Sequence, residues 1–188
     1  DETNSTFEYN GSSWTQTNNL GTARRLLSGC GTQTAGLAFG GVTSGNARSD
    51  STEEYGGTSW TAGGAMGTAR ESLAGAGTQT AGLAIAGDVG PKQQTEEYNG
   101  SSWTSGGNLG TARYQLAGAG TQTAGLAFGG APGTITATEE YDGSSWTAGG
   151  NLNTGRRELA GCGTQTAGLA FGGDTGSNSA ATELYNGT

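Results

Sequence analysis

One unit of 43 to 46 residues recurs along this chain, and this recurrence limits its folds more than any other feature. Tryptophan recurs at intervals of 46, 43 and 43 residues, and tyrosine keeps the same intervals with a final step of 44. The heptapeptide GTQTAGL begins at residues 31, 77, 120 and 163. The chain is therefore predicted to be an array of four copies, each forming the same supersecondary unit.

Each copy predicts four short β-strands. The segments TEEY and SSWT flank Asn-Gly, Gly-Gly or Asp-Gly, pairs that suit a two-residue type I′ turn and so indicate an antiparallel hairpin. The segments ARYQLAGAG, from Ala112, and AGLAFGG consist mainly of small and apolar residues, and the turn TQT separates them. Short apolar segments bounded by turns are typical of buried strands. Glycine at 39 of 188 positions disfavours helices. The unit therefore has two inner strands of small residues and two outer aromatic strands.

A four-stranded sheet cannot bury both of its faces alone, whereas sheets arranged radially cover one another. The sequence therefore predicts an all-β fold, a β-propeller of four-stranded blades. Residues 1–188 are expected to form a single domain, with repeat cores starting near residues 24, 70, 113 and 156. Aromatic side chains are predicted to fill the gaps between blades, with sugar stacking as the alternative; they are Trp14, Trp60, Trp103, Trp146, Tyr55, Tyr98 and Tyr141.

The order of arginine, glycine doublet, tyrosine and tryptophan resembles the kelch repeat over almost the whole chain. Arginine precedes the doublet at one interval in three copies, as in Arg24 before Gly40-Gly41, while Arg70 precedes Ala86-Gly87. The step of five residues from tyrosine to tryptophan is shorter than the usual kelch spacing. The near-identical copies also resemble kelch-type arrays in predicted proteins of marine bacteriophages. These resemblances imply a propeller of four kelch-like repeats and an extracellular or virion-surface location.

Four repeat cores predict a four-bladed ring if the chain closes on itself. Residues 156–186 offer three strands without a tryptophan strand, and residues 12–16 offer a tryptophan strand without inner strands. The expected closure is a composite last blade, to which residues 1–16 and 174–188 contribute. However, FEYNG at 7–11 and ELYNG at 183–187 compete for the same third-strand position. The alternative is a larger propeller that several chains share.

Two cysteines, Cys30 and Cys162, occupy the inner-strand position that Ala76 and Ala119 hold in the other copies. The first and fourth copies are neighbours in a closed ring, and a disulfide needs Cα atoms within roughly 7 Å. Two small buried thiols are the alternative. The pair fixes no redox compartment.

Composition argues against catalysis and against several kinds of partner. The chain has no histidine, which removes imidazole bases and most zinc or copper sites, including those of copper oxidases built on kelch propellers. A net charge of −8 with a single lysine disfavours nucleic acid and anionic membranes. No apolar run approaches the roughly 18 residues of a membrane span. We expect a protein that is not an enzyme, with no cofactor, no metal, no nucleic-acid partner and no membrane insertion.

Two charged sets recur with the repeat. The members of each glutamate doublet, such as Glu53-Glu54, alternate along a strand and face opposite ways, so they cannot form a glycosidase pair within one blade. They are predicted to be solvated edge charges that discourage aggregation. The recurring arginines are predicted either to capture an anion at the channel mouth or to pair with glutamates and carbonyl groups; they are Arg24, Arg70, Arg113 and Arg156.

The copies differ most after the glycine doublet, in VTSGNARSDS, DVGPKQQ, APGTITA and DTGSNSAA. These loops are expected to project from one face of the ring as a recognition surface, although unconstrained drift predicts the same variability. The candidate recognition residues are Arg48, Asp50, Lys92, Gln93, Thr134, Asp174 and Asn178. We expect the chain to bind or scaffold a protein partner as an exterior component of a phage particle. A homo-oligomer is a further expected partner state. A lectin for host-surface glycans is the alternative, and a glycoside hydrolase is a third class.

Overall fold

The computed structural model describes residues 3–88, 90 and 92–187, and the regular elements in these ranges are seventeen β-strands. They are β1 Thr6–Tyr9, β2 Trp14–Thr17, β3 Ser28–Thr32, β4 Ala35–Phe39, β5 Thr52–Tyr55, β6 Trp60–Ala62, β7 Ala74–Thr78, β8 Ala81–Ile85, β9 Thr95–Tyr98, β10 Trp103–Ser105, β11 Ala117–Thr121, β12 Ala124–Phe128, β13 Thr138–Tyr141, β14 Trp146–Ala148, β15 Ala160–Thr164, β16 Ala167–Phe171 and β17 Thr182–Tyr185.

The structure is an all-β, four-bladed β-propeller. Strands β3–β6, β7–β10 and β11–β14 form three antiparallel sheets of four strands, β15–β17 form the fourth sheet, and β1–β2 form a separate hairpin. The inner strands β3, β7, β11 and β15 pack side by side in sequence. Residues of all four copies line a central pocket. The predicted division into inner small-residue strands and outer aromatic strands is confirmed.

Glycine allows consecutive blades to lie in close contact. A Cβ atom on Gly75 would lie 2.9 Å from the Phe39 ring of the preceding blade, and one on Gly82 would lie 2.7 Å from a methyl group of Leu37. Both distances are too short for real carbon contacts, so a side chain at either glycine would push the blades apart. Each blade therefore seats its large apolar side chains on the bare backbone of the next blade.

The turn between the third and fourth strands of a blade has four residues, not the predicted two. Tyr98 pairs with Trp103, which leaves residues 99–102 as the turn. The side-chain oxygen of Asn99 accepts hydrogen bonds from the backbone N–H groups of Ser101 and Ser102, each at 3.0 Å. Gly100 has a φ of 90°. The Asn-Gly pair thus supplies an Asx-type turn, in which only glycine needs a positive φ.

The predicted composite last blade is not formed. Strand β2, which carries Trp14, pairs with β1 rather than with β17. In the described ranges the fourth sheet therefore has three strands. The two competing third strands both persist, because β1 stays with β2 and β17 stays with β16. Residues 1, 2 and 188 of the predicted closure segments lie outside the described residues.

Each blade has a forward face toward the following copy and a backward face toward the preceding one. On the forward faces of the first three blades, Phe39, Ile85 and Phe128 are at most 3% exposed. The equivalent Phe171 is 39% exposed. No described blade covers the forward face of the fourth sheet in this way. On the backward face of the N-terminal hairpin, Trp14 is 69% exposed, so the prediction that it fills a gap between blades is wrong.

The two cysteines show the same difference between covered and uncovered faces. Both are free thiols, so the disulfide is not formed. Cys30 lies beneath the second blade, where its Sγ is 3.6 Å from the carbonyl oxygen of Thr78, and burial raises its pKa to about 12. Cys162 is exposed. Cys30 is thus partly buried, so the interpretation as buried thiols holds only in part for Cys30 and is wrong for Cys162.

Candidate functional site

The propeller has two ends that carry different kinds of connection. Because the strands of a blade alternate in direction, the loops after the glycine doublets and the linkers between blades lie at one end, which we call the loop face. The TQT and Asn-Gly-Ser-Ser turns lie at the other end, which we call the turn face. The variable loops therefore lie on one face, as predicted. Residues 89 and 91 of the second loop lie outside the described residues.

Each linker contains two variable residues between a constant arginine and a constant leucine. The inner strand of the third copy begins after this leucine, at Ala117, and not at Ala112 as predicted. The second residue of each variable pair has a φ of 53° or 54°, in the left-handed region. This conformation costs a non-glycine residue roughly 1–2 kcal/mol, and such strain is concentrated at functional sites. The pairs are Arg25-Leu26, Glu71-Ser72, Tyr114-Gln115 and Arg157-Glu158.

The left-handed residues line the mouth of the central pocket, together with the constant leucines Leu27, Leu73, Leu116 and Leu159. Their backbones are linked in series. The N–H of Ser72 donates to the carbonyl oxygen of Leu26 at 2.9 Å, that of Gln115 to Ser72 at 2.7 Å, and that of Glu158 to Gln115 at 2.9 Å. Nε2 of Gln115 also donates to Oε1 of Glu158 at 2.5 Å. The mouth therefore has an apolar wall and a different side chain from each copy.

Charged side chains of both signs lie on the same loop face as this mouth. Four of the eight lysine and arginine residues belong to the loop face: Arg25, Arg48, Lys92 and Arg157. Nε of Arg48 lies 3.1 Å from a carboxylate oxygen of Glu71 in the next copy. Arg157 donates to Asp174 at 2.8 Å, and this hydrogen bond raises the pKa of Arg157 and lowers the pKa of Asp174. The loop face thus presents partly exposed ion pairs, which contribute little stability but a distinct charge pattern.

The predicted recognition residues fall into two groups within the loops. Arg48 and Asn178 pair with Val42 and Asp174 inside their loops, and Lys92 pairs with Arg113 of the linker. By contrast, the backbone oxygens of Asp50 and Gln93 accept N–H groups of the following linkers, from Met66 and Leu109, each at 2.8 Å. Thr134 is exposed at a loop tip. The side chains of Asp50 and Gln93 are also exposed.

Sequence reasoning missed the variable pairs of the linkers. An alignment of the four copies shows them as two changing residues between the constant arginine and the constant leucine. This pattern of changing residues between constant ones was sufficient to predict that the pairs belong to the variable surface, together with the loops. The structure adds that the second residue of each pair lines one pocket mouth, where one ligand or partner could contact all four copies.

The repeat arginines are structural, and the anion-binding ring is not formed. All four are at most 2% exposed. Nη2 of Arg70 lies 2.8 Å from a carboxylate oxygen of Glu96, and Nη1 donates to the carbonyl oxygens of Ala86 and Gln94. The same ion pair joins Arg24 to Glu53, Arg113 to Glu139 and Arg156 to Glu183. Burial lowers the pKa of Arg70 and Arg113, while the facing glutamates act in the opposite direction.

The prediction that the glutamate doublets are solvated edge charges is wrong. The first member is buried against the arginine, and Glu96 also accepts the backbone N–H of Gly67 at 2.6 Å. The second member accepts a tyrosine hydroxyl of the next blade, as Glu54 does from Tyr98 at 2.5 Å. Burial, followed by this hydrogen bond, raises the pKa of Tyr98 to about 12. The predicted opposite orientation is confirmed, because the two members contact different partners.

Three of the four tryptophans join consecutive blades, as predicted. Nε1 of Trp103 donates to Oγ1 of Thr52 in the preceding blade at 2.8 Å. Trp60 and Trp146 bind Thr6 and Thr95 in the same way, each at 2.9 Å. Each ring also packs against the tyrosine opposite it in its own sheet, with centroids 4.9 to 5.0 Å apart.

In the described part of the chain, no cluster of three or more aspartate, glutamate or cysteine residues could hold a metal ion. No helix in these ranges has the length and apolar character to cross a membrane. A scan against models of known protein families finds no match, and a search of the curated proteins also finds none.

Proposed function

We propose that this chain is a non-catalytic binding or scaffold propeller that contacts a protein partner through its loop face. The observation that carries the proposal is the concentration of sequence differences at one end of an otherwise uniform molecule. The linker pairs and the four loops change from copy to copy and lie on one face, where the second residue of each pair lines one pocket mouth. A rigid scaffold with variable loops at one end is a recurrent design for recognition.

The chemistry of the loop face favours a protein partner. Its ion pairs, such as those of Arg48 with Glu71 and Arg157 with Asp174, are exposed enough to exchange for charges on a partner. The mouth adds an apolar wall beside Gln115 and Glu158. An apolar centre with a polar, charged rim is the usual composition of protein interfaces.

The kelch-like character of the repeat and a place on the exterior of a phage particle are part of this proposal. They are supported by the arginine, glycine doublet, tyrosine and tryptophan pattern and by the likeness to arrays of marine bacteriophages. A virion surface or another extracellular site would suit an acidic chain with a net charge of −8, because such charge favours solubility.

Binding of host-surface glycans through the turn face is the second candidate. Here the copies are nearly identical, since each carries the exposed threonine of TQT and a hydroxyl-rich turn such as residues 99–102. Identical sites around a ring would give avidity from weak individual contacts.

Two matched triple variants distinguish the two faces. The loop-face variant replaces Arg48, Lys92 and Thr134 by alanine, and the turn-face variant replaces Thr34, Thr80 and Thr123 by alanine. Cross-linking mass spectrometry of the chain in its native assembly identifies the contacted polypeptide, and interferometry then measures the affinity of each variant for it. We expect the loop-face variant to lose at least tenfold and the turn-face variant to stay within twofold.

The opposite ranking of the two variants would refute the loop-face proposal. Binding to a glycan array that only the turn-face variant loses would support the second candidate instead. Circular dichroism of both variants shows whether they retain the fold.

A further inference from the structure

The Asn-Gly-Ser-Ser turns of the turn face surround one side-chain oxygen with hydrogen-bond donors. Oδ1 of Asn99 accepts the backbone N–H groups of Ser101 and Ser102, each at 3.0 Å, and the hydroxyl of Ser101 at 2.9 Å. The hydroxyl of Ser102 adds a longer bond of 3.4 Å. Asn10 has the same four donors, from Ser12 and Ser13. Donors in this arrangement stabilise negative charge that develops on a carbonyl oxygen.

The third copy carries a negative charge at this position. Asp142 stands in place of the asparagine, and its Oδ1 accepts the N–H and hydroxyl of Ser144 and the N–H of Ser145, each at 2.8 Å. These hydrogen bonds, led by the backbone N–H of Ser145, lower the pKa of Asp142 to about 2. The flanking strands keep the register of the second copy. The turn of the repeat therefore accommodates either an amide or a carboxylate.

The groups next to the Asn99 carbonyl are accessible for reaction. Asn99 is exposed, and Gly100 follows it, so no side chain of the next residue covers the amide carbon. In the part of the chain that the structure describes, neither the N–H of Gly100 nor Nδ2 of Asn99 donates to another residue. The backbone nitrogen of a following residue can attack such a carbonyl carbon and close a five-membered ring. Here the nucleophile has no partner, the carbonyl is polarised and the leaving amide is in contact with water.

We propose that Asn99 and Asn10 are sites of spontaneous deamidation in the folded chain, and that the serine donors of their turns assist the reaction. The nitrogen of Gly100 bonds to Cγ of Asn99 and loses its proton, the Cγ–Nδ2 bond breaks, and ammonia leaves with that proton. The product of this step is a cyclic succinimide. Water then opens the ring at the Cγ–N bond, which gives aspartate, or at the backbone C–N bond, which gives isoaspartate.

The reaction changes the charge of the turn face. Among the described residues of the TQT turns and of the turns equivalent to residues 99–102, Asp142 is the only charged one. Conversion of Asn10 and Asn99 adds two carboxylates to it, at equivalent positions of three copies. The charges of the loop face stay as they are, so this inference does not depend on the protein partner proposed for that face.

Peptide mapping by mass spectrometry, after incubation of the folded chain at mildly alkaline pH, measures the conversion at each asparagine. Asn108 is a control in the same molecule, because it is exposed but precedes Leu109, whose N–H donates to Gln93 at 2.8 Å. We expect Asn99 and Asn10 to convert at least tenfold faster than Asn108. We also expect Asn99 to convert at least as fast as in the unfolded peptide TEEYNGSSWTS, residues 95–105. Slower conversion in the folded chain than in the peptide would overturn the proposal.

Two matched double variants test the role of the serines. Ser101→Ala with Ser102→Ala removes the hydroxyl donors of Asn99 and keeps the backbone donors. We expect conversion at Asn99 to slow about fivefold, the effect of roughly one hydrogen bond, and conversion at Asn10 in the same molecule to stay unchanged. Ser144→Ala with Ser145→Ala alters the turn of the third copy, and we expect it to leave the rate at Asn99 within twofold of the parent. Equal or faster conversion of Asn99 in the first variant would show that the serines do not assist the reaction.

The variant Asn99→Asp reproduces the aspartyl product. We expect it to unfold at the urea concentration of the parent chain, because Asp142 already occupies the same turn in the third copy. Anion-exchange chromatography of the aged parent chain is expected to show an acidic form that elutes with this variant. An acidic form whose added charge maps to asparagines outside the Asn-Gly pairs would overturn the proposal, as would a variant that is clearly less stable than the parent.

Discussion

At the scale of single residues, the repeat places an ion pair in its interior. Arg70 has no exposed surface and Glu96 is 6% exposed, so both groups lose most of their hydration on folding. The Coulomb attraction and the hydrogen bonds to Ala86, Gln94 and Gly67 offset that loss. Such a pair contributes less net stability than its short distances suggest, but removing one member leaves a buried charge without compensation.

We predict that Glu96→Gln lowers the free energy of unfolding by about 3 kcal/mol, because it leaves the Arg70 guanidinium without a facing carboxylate. Glu158→Gln, an exposed residue of the mouth, is expected to change stability by less than about 0.5 kcal/mol. Urea unfolding followed by tryptophan fluorescence measures both. Similar losses for the two variants would show that the buried pair has no special role.

At the scale of elements, every contact between consecutive blades uses the same set of groups. Leucine and phenylalanine of one blade lie on glycines of the next, while tryptophan, tyrosine and glutamine of the next blade donate to the blade before it. The apolar part supplies most of the free energy, because it removes the larger area from water. The hydrogen bonds fix the position of one blade relative to the next along the propeller axis, because each donor reaches its acceptor in only one register.

We predict that Gln122→Ala costs about 2 kcal/mol, because its Nε2 donates to the carbonyl oxygens of both Gly82 and Tyr98. Gln33 occupies the same position in the first copy, but it donates to Tyr9 alone, at 3.1 Å. Gln33→Ala is therefore expected to cost about 1 kcal/mol or less. Thermal and urea unfolding of the two variants check the ranking. Equal losses would mean that these hydrogen bonds do not set the strength of the contact.

At the scale of the whole molecule, the blades differ in what covers them. The forward faces of the first three sheets are shielded by a following blade, whereas Phe171 and Cys162 of the fourth are exposed. The two ends of the row of sheets therefore differ. The C-terminal sheet has an exposed apolar face, and the N-terminal hairpin carries exposed aromatic rings. The accessibility of the two cysteines measures this difference in solution.

We predict that one thiol per chain reacts rapidly with maleimide at pH 7.5 and that this thiol is Cys162. Cys30 is partly buried against the second blade, and its pKa of about 12 keeps it protonated at this pH, so it is expected to react much more slowly. Mass spectrometry of Cys30→Ala and Cys162→Ala after brief labelling assigns the reaction. Rapid labelling of Cys162→Ala in the native state would contradict the arrangement of the first two blades.

The periodicity of the sequence was sufficient to predict four blades and their inner and outer strands, because strand spacing and glycine content are local properties. It did not predict the burial of Glu53 or Glu96, because glutamate is usually exposed and its arginine partner is distant in sequence. The periodicity also did not predict which of the two candidate third strands, FEYNG or ELYNG, joins the fourth sheet, because both segments are equally good strands. That outcome depends on contacts that form only in the folded molecule.

Two departures from the repeat accompany the separate pairing of β1 and β17. Phe7 stands where other copies carry the glutamate that pairs with arginine, and among the described residues the sheet of β1 and β2 contains no inner strand. Leu184 stands where other copies carry the glutamate that accepts a tyrosine, and no described blade follows it. Each terminal copy thus retains the glutamate that it uses, Glu8 for Tyr55 and Glu183 for Arg156.

The uniform contacts between blades have a consequence for how such a gene can change. Near-identical stretches of coding DNA recombine out of register, which adds or removes whole units. In most proteins an inserted unit would meet surfaces that do not match it. In this protein a new unit would find on both sides the glycines, carbonyl oxygens and hydroxyl groups for which it is already built, so the length of the array can vary without the invention of a single contact.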